Sequence, residues 1–294
     1  MASMLPGPGR TMIAMTLAAP DLLAVRLRAL QESLAALPGL LVAFSGGADS
    51  AFLLAAAVRA LGSERVLAAT GVSGSLPLVE RGPAADFAAS LGVASWTPAT
   101  HEIDREGYRA NAGDRCYFCK SELLEVLTPE AERRGWPVAT GTNADDVVAG
   151  FRPGIRAAAE RGALTPLADA GITKDQVRQA SAAWGLATWD KPAAACLASR
   201  IAYGLEVTPA RLARVERAEA ALRAALPGVR DLRVRDLDDH ARVEIDRATL
   251  AGLDAAAQGR LREALAAEGL SVVEFRAFRS GSMNDLLADP ARYR

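Results

Sequence analysis

The 294-residue chain is poor in residues that several architectures and functions require. Three cysteines are too few for a disulfide scaffold, and they fit a reducing, cytoplasmic setting in which thiols react or bind metal. No apolar run approaches the roughly 20 residues that a membrane span needs, so we expect no membrane association. The net charge of −1 supplies no global field that would attract nucleic acid.

Lysine is also scarce, with three residues against 31 arginines. Lys120 and Lys191 each lie within five residues of a cysteine. Either these positions require a compact ammonium group, or the placement is chance.

What the chain does have is an alternation of apolar runs with helical patterns over residues 21–203. Runs that begin near residues 40, 66, 94 and 137 are typical of buried strands. Strands that alternate with helices predict an α/β fold with a Rossmann-like, doubly wound parallel sheet.

The pattern changes after residue 200 to the order α-β-β-α-β. The predicted elements there cover 209–226, 229–234, 241–245, 247–267 and 271–278. We therefore predict a disordered or extended N-terminus (1–20), the α/β domain (21–203) and a smaller C-terminal α+β domain for substrate binding or oligomerisation (204–294).

The segment Ser45-Gly46-Gly47-Ala48-Asp49-Ser50 separates a predicted strand from a predicted helix. Such a turn is an anion site, because the loop amides and the helix dipole both favour negative charge. Gly46 and Gly47 let the backbone approach a phosphate. A generic glycine turn is the alternative. The pattern Ser-Gly-Gly-x-Asp-Ser resembles the PP-loop of the ATP pyrophosphatases, which implies cleavage of ATP to AMP and pyrophosphate to activate a substrate.

Further polar residues fall at the carboxyl ends of predicted strands, where ligands bind in such sheets. Residues 141–146 (Gly-Thr-Asn-Ala-Asp-Asp) bring paired carboxylates that suit Mg²⁺ on the leaving pyrophosphate. Asp49 and Asp146 are the predicted magnesium ligands, and a polar turn with an N-capping residue is the alternative. The predicted ATP and pyrophosphate contacts are Ser45, Gly46, Gly47, Asp49, Ser50, Ser73, Asn143 and Asp146.

The cysteines form a second group of candidates. Cys116 and Cys119 make a Cys-x-x-Cys motif, which occurs in redox pairs, zinc sites and iron–sulfur sites. No second such motif exists, so three thiolates are available once Cys196 is counted. Cys196 alone would be a small buried residue, but Lys191 and Arg200 would lower the pKa of a nearby thiol.

Five segments together resemble the LarE family of ATP-dependent sulfur transferases, which build the nickel-pincer nucleotide of lactate racemase. They are residues 45–50, 114–120, 141–146, 191–200 and 275–284, and the resemblance runs from about residue 22 to 285. It implies adenylation of a carboxylate of pyridinium-3,5-biscarboxylic acid mononucleotide. Sulfur then displaces AMP and leaves a thiocarboxylate.

The resemblance implies two possible sulfur sources. Some members sacrifice the sulfur of a cysteine at the position of Cys196, whereas others bind a [4Fe-4S] cluster through three cysteines and transfer a hydrosulfide from its open iron. We favour the cluster, since this chain has all three cysteines, Cys116, Cys119 and Cys196, with sulfide or another donor as the source. Zinc on three thiolates would explain no sulfur delivery. The family often forms rings, which implies a homo-oligomer.

Arg233 and Arg235 alternate on one face of a predicted strand. They suit a phosphate and a carboxylate, or a salt-bridge ladder with Arg242 and Glu244. The resemblance makes Ser199, Arg200, Glu219, Arg233 and Arg235 the substrate-binding candidates, with Trp96 lining the same cleft.

Three other functions compete with this prediction. A tRNA thiolase should carry a basic footprint, but residues 201–294 hold 15 arginines and 15 acidic residues. An ammonia-using synthetase would leave the three thiols idle. A nucleotide-binding sensor would not turn ATP over.

Overall fold

The computed structural model describes residues 21–149, 152–192 and 195–287. The predicted N-terminal segment, residues 1–20, lies outside this part of the chain. None of the helices described is both long and apolar enough to cross a membrane.

The first part of the chain contains a four-stranded sheet and its helices. The strands are β1 (Leu40–Ala43), β2 (Val66–Ala69), β3 (Ala94–Trp96) and β4 (Val138–Thr140). The helices are α1 (Leu22–Ala35), α2 (Ala48–Leu61), α3 (Leu78–Ser90), α4 (Glu106–Arg109), α5 (Arg115–Arg134), α6 (Ala144–Val148), α7 (Pro153–Glu160), α8 (Pro166–Asp169) and α9 (Lys174–Ala183). Short 3-10 helices cover Ser63–Arg65, Glu102–Asp104 and Leu197–Arg200.

All strands of this sheet are parallel, in the order β3-β2-β1-β4. In the central strand β1, Leu40 and Val42 pack into the core that contains α2, whereas Leu41 and Ala43 pack with residues of α5. Helices therefore cover both faces, which explains why β1 is continuously apolar. The predicted Rossmann-like parallel α/β fold is confirmed.

Trp96, predicted to line the substrate cleft, lies at the end of β3. It packs against the core cluster of Leu41, Leu67 and Leu127, on the α5 side of the sheet. Its side chain is partly buried there, and its role in the substrate cleft stays a prediction.

The second part of the chain contains a three-stranded sheet in the order β5-β6-β7. Its elements are α10 (Pro209–Ala225), β5 (Leu232–Asp236), β6 (Ala241–Ile245), α11 (Arg247–Ala251), α12 (Ala255–Ala267), β7 (Val272–Ala277) and a 3-10 helix at Ser282–Leu286. Strands β5 and β6 are antiparallel, and β6 and β7 are parallel. Ala202 N–H donates to the Asp236 carbonyl at 2.9 Å and so ties the predicted domain boundary to β5.

The predicted helix over 247–267 is wrong as one element, because two helices, α11 and α12, occupy this stretch. Asp246 caps the first by accepting from Thr249 N, and Asp254 caps the second by accepting from Ala257 N. Gly252 lies between them. An N-capping aspartate in the middle of a helical pattern starts a new helix, since its side chain satisfies the free amides of a first turn.

Candidate functional site

The loop between β1 and α2 is shaped for an anion. Gly46 has a φ of +71°, a left-handed conformation that favours glycine. The buried Ser50 hydroxyl donates to the Gly47 carbonyl at 3.1 Å and accepts from Ser45 N–H at 3.3 Å. At the N-terminus of α2, Gly47 provides no side-chain cap. The amides of the first turn are therefore available to a phosphate.

Gly141 at the end of β4 lies against this loop. A Cβ there would come within 2.7 Å of Ser50 N and 2.9 Å of Ser50 Cα. These are backbone atoms of α2 that cannot turn aside, so glycine is needed for the close approach of β4 to the phosphate loop.

We expect Gly141→Ala to lower the free energy of unfolding by about 1–3 kcal/mol, because the added methyl group forces the backbone of the loop apart. Urea denaturation measures the change, and titration with an ATP analogue should show weaker binding. Gly259→Ala is the matched control, since nothing lies within 4 Å of its Cβ position in α12 and alanine favours a helix. Equal stability of the two variants would contradict the account.

The acidic turn after β4 is a closed capping box. The Asn143 side chain accepts from Asp145 N–H at 3.0 Å and Asp146 N–H at 3.1 Å, and Asp146 accepts from Asn143 N–H at 3.4 Å. Asn143 is therefore engaged in holding the turn. Asp146 also lines a cavity that opens beside the phosphate loop.

Asp49 is an acidic residue of the phosphate loop that keeps one carboxylate oxygen without a hydrogen-bond partner among the residues described. Its Oδ2 pairs with Lys174 Nζ. Its Oδ1 is buried and has no hydrogen-bond partner among the residues described. A buried carboxylate oxygen without a donor fits a bound cation, which Asp146 in the same cavity could share.

All three lysines lie at this site. Lys174 also donates its backbone N–H to Asp145 at 2.8 Å and so joins both acidic segments. Lys191 Nζ donates to the Gly46 carbonyl at 3.0 Å and to Glu80 at 2.7 Å. Lys120 lines the cavity. Sequence reasoning missed Lys174, although the scarcity of lysine was a usable signal.

A cavity of about 340 Å³ opens beside the phosphate loop, within the size range of small-ligand sites. Six of the eight predicted ATP contacts line it, namely Ser45, Gly47, Asp49, Ser50, Ser73 and Asp146. Gly46 and Asn143 lie outside its lining. Cys119 and Cys196 line the same cavity. The structure thus brings the phosphate loop and two of the three thiols to one space.

The Cys-x-x-Cys motif lies in the first turn of α5, so Cys116 and Cys119 are three residues apart on one side of the helix. Cys196 precedes the 3-10 helix Leu197–Arg200. All three are free thiols. Burial raises the pKa of Cys119 well above its ordinary value, and the charges of Cys196 and Glu102 add to the shift.

Within the residues described, no group of three or more His, Cys, Asp or Glu side chains is arranged to hold a metal ion. The donor set nevertheless consists of three free thiols on two adjoining segments, α5 and the segment around Cys196.

Glu102 is a second residue that sequence reasoning missed. It is 2% exposed, and its Oε1 accepts from Ser73 Oγ at 2.5 Å. Its Oε2 is buried with no hydrogen-bond partner in the part of the chain described. No motif marked it, because it belongs to a stretch without regular periodicity.

The five predicted substrate residues lie outside the lining of this cavity. Arg200 pairs with Glu219 at 2.8 Å and Arg235 with Glu244 at 2.6 Å, and all four side chains are buried. The Arg233 guanidinium lies 5.2 Å from the Phe278 ring centroid. Burial lowers the pKa of Arg233 to about 10, with a contribution from Arg200.

The remaining candidate, Ser199, donates its hydroxyl to the Cys196 carbonyl at 2.7 Å. All five predicted substrate residues therefore already have partners within the protein, since the Arg233 guanidinium donates to the Leu232 carbonyl at 2.7 Å in addition to its contact with the Phe278 ring. Their role in substrate binding stays a prediction.

Comparison with known proteins places this chain among its relatives. No family model matches it. It is 43% identical over 221 residues to an uncharacterised protein of Synechocystis. The match covers 75% of this chain and 81% of the relative. It is 34% identical over 137 residues to an uncharacterised protein of Methanocaldococcus jannaschii, covering 46% of this chain and 52% of the relative.

A third relative has a described activity. The chain is 31% identical over 267 residues to the pyridinium-3,5-bisthiocarboxylic acid mononucleotide synthase of Lactiplantibacillus plantarum. The match covers 90% of this chain and 96% of the synthase. As its motifs predict, the chain belongs to the family of this synthase, the LarE family.

Proposed function

We propose that this protein is an ATP-dependent sulfur transferase that converts a carboxylate of pyridinium-3,5-biscarboxylic acid mononucleotide into a thiocarboxylate. One observation carries the proposal: the phosphate loop and the thiols of Cys119 and Cys196 line a single cavity. The name of the Lactiplantibacillus relative describes the matching dithio product.

The first half-reaction is adenylation. A carboxylate oxygen of the substrate attacks the α-phosphorus of ATP, and the bond to pyrophosphate breaks. The amides of Gly47 and the first turn of α2 bind the phosphates. Asp49 and Asp146 would hold Mg²⁺, which when bound would supply positive charge for the phosphates. The Lys174 ammonium group, beside Asp49, adds positive charge where pyrophosphate departs.

The second half-reaction is sulfur transfer, in which a carbon–sulfur bond forms and the bond from the acyl carbon to AMP breaks. Cys116, Cys119 and Cys196 would hold a [4Fe-4S] cluster, whose open iron supplies a hydrosulfide when the cluster is bound. The packing of Cys119 and Cys196 against one apolar cluster, with Cys116 on the same helix as Cys119, supports this role. Glu102 and Ser73 line the same cavity as Cys119, Cys196 and the phosphate loop.

Sacrificial donation of sulfur from Cys196 is the second candidate, favoured by the position of that thiol in the cavity lining. The tRNA thiolase is disfavoured by the balanced charge of residues 201–294. The ammonia-using synthetase gives no role to thiols beside the phosphate loop. A cytoplasmic location, inferred from the few cysteines, and a homo-oligomeric state, implied by the family resemblance, remain part of the proposal.

The test is ATP–pyrophosphate exchange, which measures the reversible first half-reaction without any sulfur. We expect exchange with Mg-ATP and the biscarboxylate nucleotide, and none when the nucleotide is omitted. Exchange that does not need the nucleotide would overturn the substrate assignment. No exchange under any condition would favour the nucleotide-binding sensor.

A further inference from the structure

The segment that carries Cys196, residues 195–202, is held through its backbone carbonyl groups. Arg200 Nη1 donates to the carbonyl oxygens of Ala195 at 2.5 Å and Cys196 at 2.9 Å. Arg235 Nη1 donates to the Ser199 carbonyl at 3.2 Å. Arginine side chains thus supply hydrogen bonds to backbone carbonyl groups that backbone N–H groups would satisfy in a regular helix or sheet.

Arg115 holds the same segment from the other cysteine-bearing element. It is 4% exposed, begins α5 and immediately precedes Cys116. Its Nη1 donates to the Ala198 carbonyl at 2.9 Å and also to Asn111 Oδ1. One buried guanidinium therefore links the first turn of the Cys-x-x-Cys helix to a residue two positions after Cys196.

Asn111 completes the link. It is fully buried and adopts a φ of +50°, which is uncommon for a residue other than glycine. Its Nδ2 donates to the Ala202 carbonyl at 2.8 Å and to the Leu205 carbonyl at 2.9 Å, while its Oδ1 accepts from Arg115. Both ends of the amide are used, so the side chain cannot turn without breaking contacts on both sides.

We propose that Asn111 and Arg115 are positioning residues that fix the Cys196 segment against the Cys-x-x-Cys helix and so set the arrangement of the three thiols. Charge-assisted hydrogen bonds in a buried setting are strong and directional. Removing the guanidinium takes the charged donor from Asn111 Oδ1 and leaves the Ala198 carbonyl with the Ile201 N–H at 3.2 Å, which loosens the segment. The inference rests on the proposed sulfur transfer for its functional meaning, but the contacts belong to the chain alone.

The test is Arg115→Met, which keeps much of the apolar stem and removes the donors. Amide hydrogen exchange of the metal-free protein should become about 10-fold faster in residues 196–202 and stay unchanged in β1. ATP–pyrophosphate exchange should stay within twofold of wild type, whereas sulfur transfer should fall about 10-fold or more. A residue with a merely structural role would affect both half-reactions alike.

Arg105→Met is the matched control, since Arg105 also ties a neighbouring turn to α5, through Glu122 and Glu125. Arg105→Met should leave amide hydrogen exchange in residues 196–202 unchanged, and it should leave the rates of both half-reactions unchanged. Asn111→Gly removes the amide but tolerates the positive φ, and it should reproduce the effect of Arg115→Met even if that variant folds poorly.

Unchanged amide exchange in residues 196–202 of both Arg115→Met and Asn111→Gly would overturn the inference, as would equal loss of both half-reactions. Failure of the proposed function is a separate result. The wild-type protein would then show no nucleotide-dependent pyrophosphate exchange, while the hydrogen-exchange comparison would still decide whether the two side chains hold the segment.

Discussion

Replacing Asp49 with asparagine is expected to lower nucleotide-dependent ATP–pyrophosphate exchange by about 100-fold. The substitution keeps the size of the side chain and removes its charge. In the protein, one carboxylate oxygen is paired with Lys174 and the other is buried, with no hydrogen-bond partner among the residues described. An amide offers magnesium a weaker ligand and leaves the Lys174 ammonium group uncompensated.

Asp175→Asn is the control for this variant. Asp175 is an exposed carboxylate beside Lys174 in α9, so the net charge change is the same. It should leave exchange within twofold of wild type. An Asp49→Asn variant that keeps near wild-type exchange at saturating magnesium would show that Asp49 holds neither the metal nor the pyrophosphate.

Replacing Cys116 with alanine is expected to abolish repeated sulfur transfer while leaving pyrophosphate exchange intact. Three thiolates are required to hold a [4Fe-4S] cluster with one open iron, so two thiols should not retain it. The measurement is thiocarboxylate formed per protein chain after anaerobic reconstitution, with iron analysis alongside. Wild-type protein should be brown and contain about four irons per chain.

Sacrificial chemistry predicts the opposite outcome for the same variant. Cys116→Ala would then form nearly as much thiocarboxylate per chain as the wild type. Mass spectrometry would find one sulfur lost from Cys196 after a single turnover. Tyr117→Phe serves as the control, because its hydroxyl contacts Glu160 and its position does not line the cavity. It should keep both half-reactions.

The sequence was sufficient for the features that are local. The apolar run of β1, the glycine turn and the helix start lie within 22 consecutive residues, from Leu40 to Leu61. Each of them can be predicted from the spacing of apolar residues and glycines in a short window of sequence. The alternation of strands and helices then predicted a parallel sheet, because a helix that connects two strands of one sheet allows few strand arrangements. The break between α11 and α12 was not predicted, because the apolar spacing alone does not distinguish Asp254 as a capping residue from Asp254 inside a helix.

The contacts that complete the site are not local, which is why sequence patterns did not reveal them. Lys174 reaches Asp49 across 125 residues of sequence, and Arg115 reaches Ala198 across 83. No periodicity encodes such a pair. Glu102 was missed for the same reason, since its partner Ser73 belongs to another strand's end.

The predicted arginine pair illustrates what periodicity does and does not provide. Arg233 and Arg235 do share a buried face of β5, as a two-residue spacing requires. The alternative of a salt bridge to Glu244 is observed for Arg235. Periodicity could not reveal that Arg200 and Arg235 would donate to carbonyl groups of the Cys196 segment. Substrate binding by these residues stays a prediction that the positioning contacts do not test.

The most direct test of the account is product formation from Mg-ATP, the biscarboxylate nucleotide and sulfide, followed by mass spectrometry. If adenylation and sulfur delivery share one cavity, reconstituted wild-type protein should yield thiocarboxylate, AMP and pyrophosphate in equal amounts. Cys196→Ala should carry out pyrophosphate exchange but form no thiocarboxylate. Thiocarboxylate formation by Cys196→Ala at the wild-type rate would contradict the central claim.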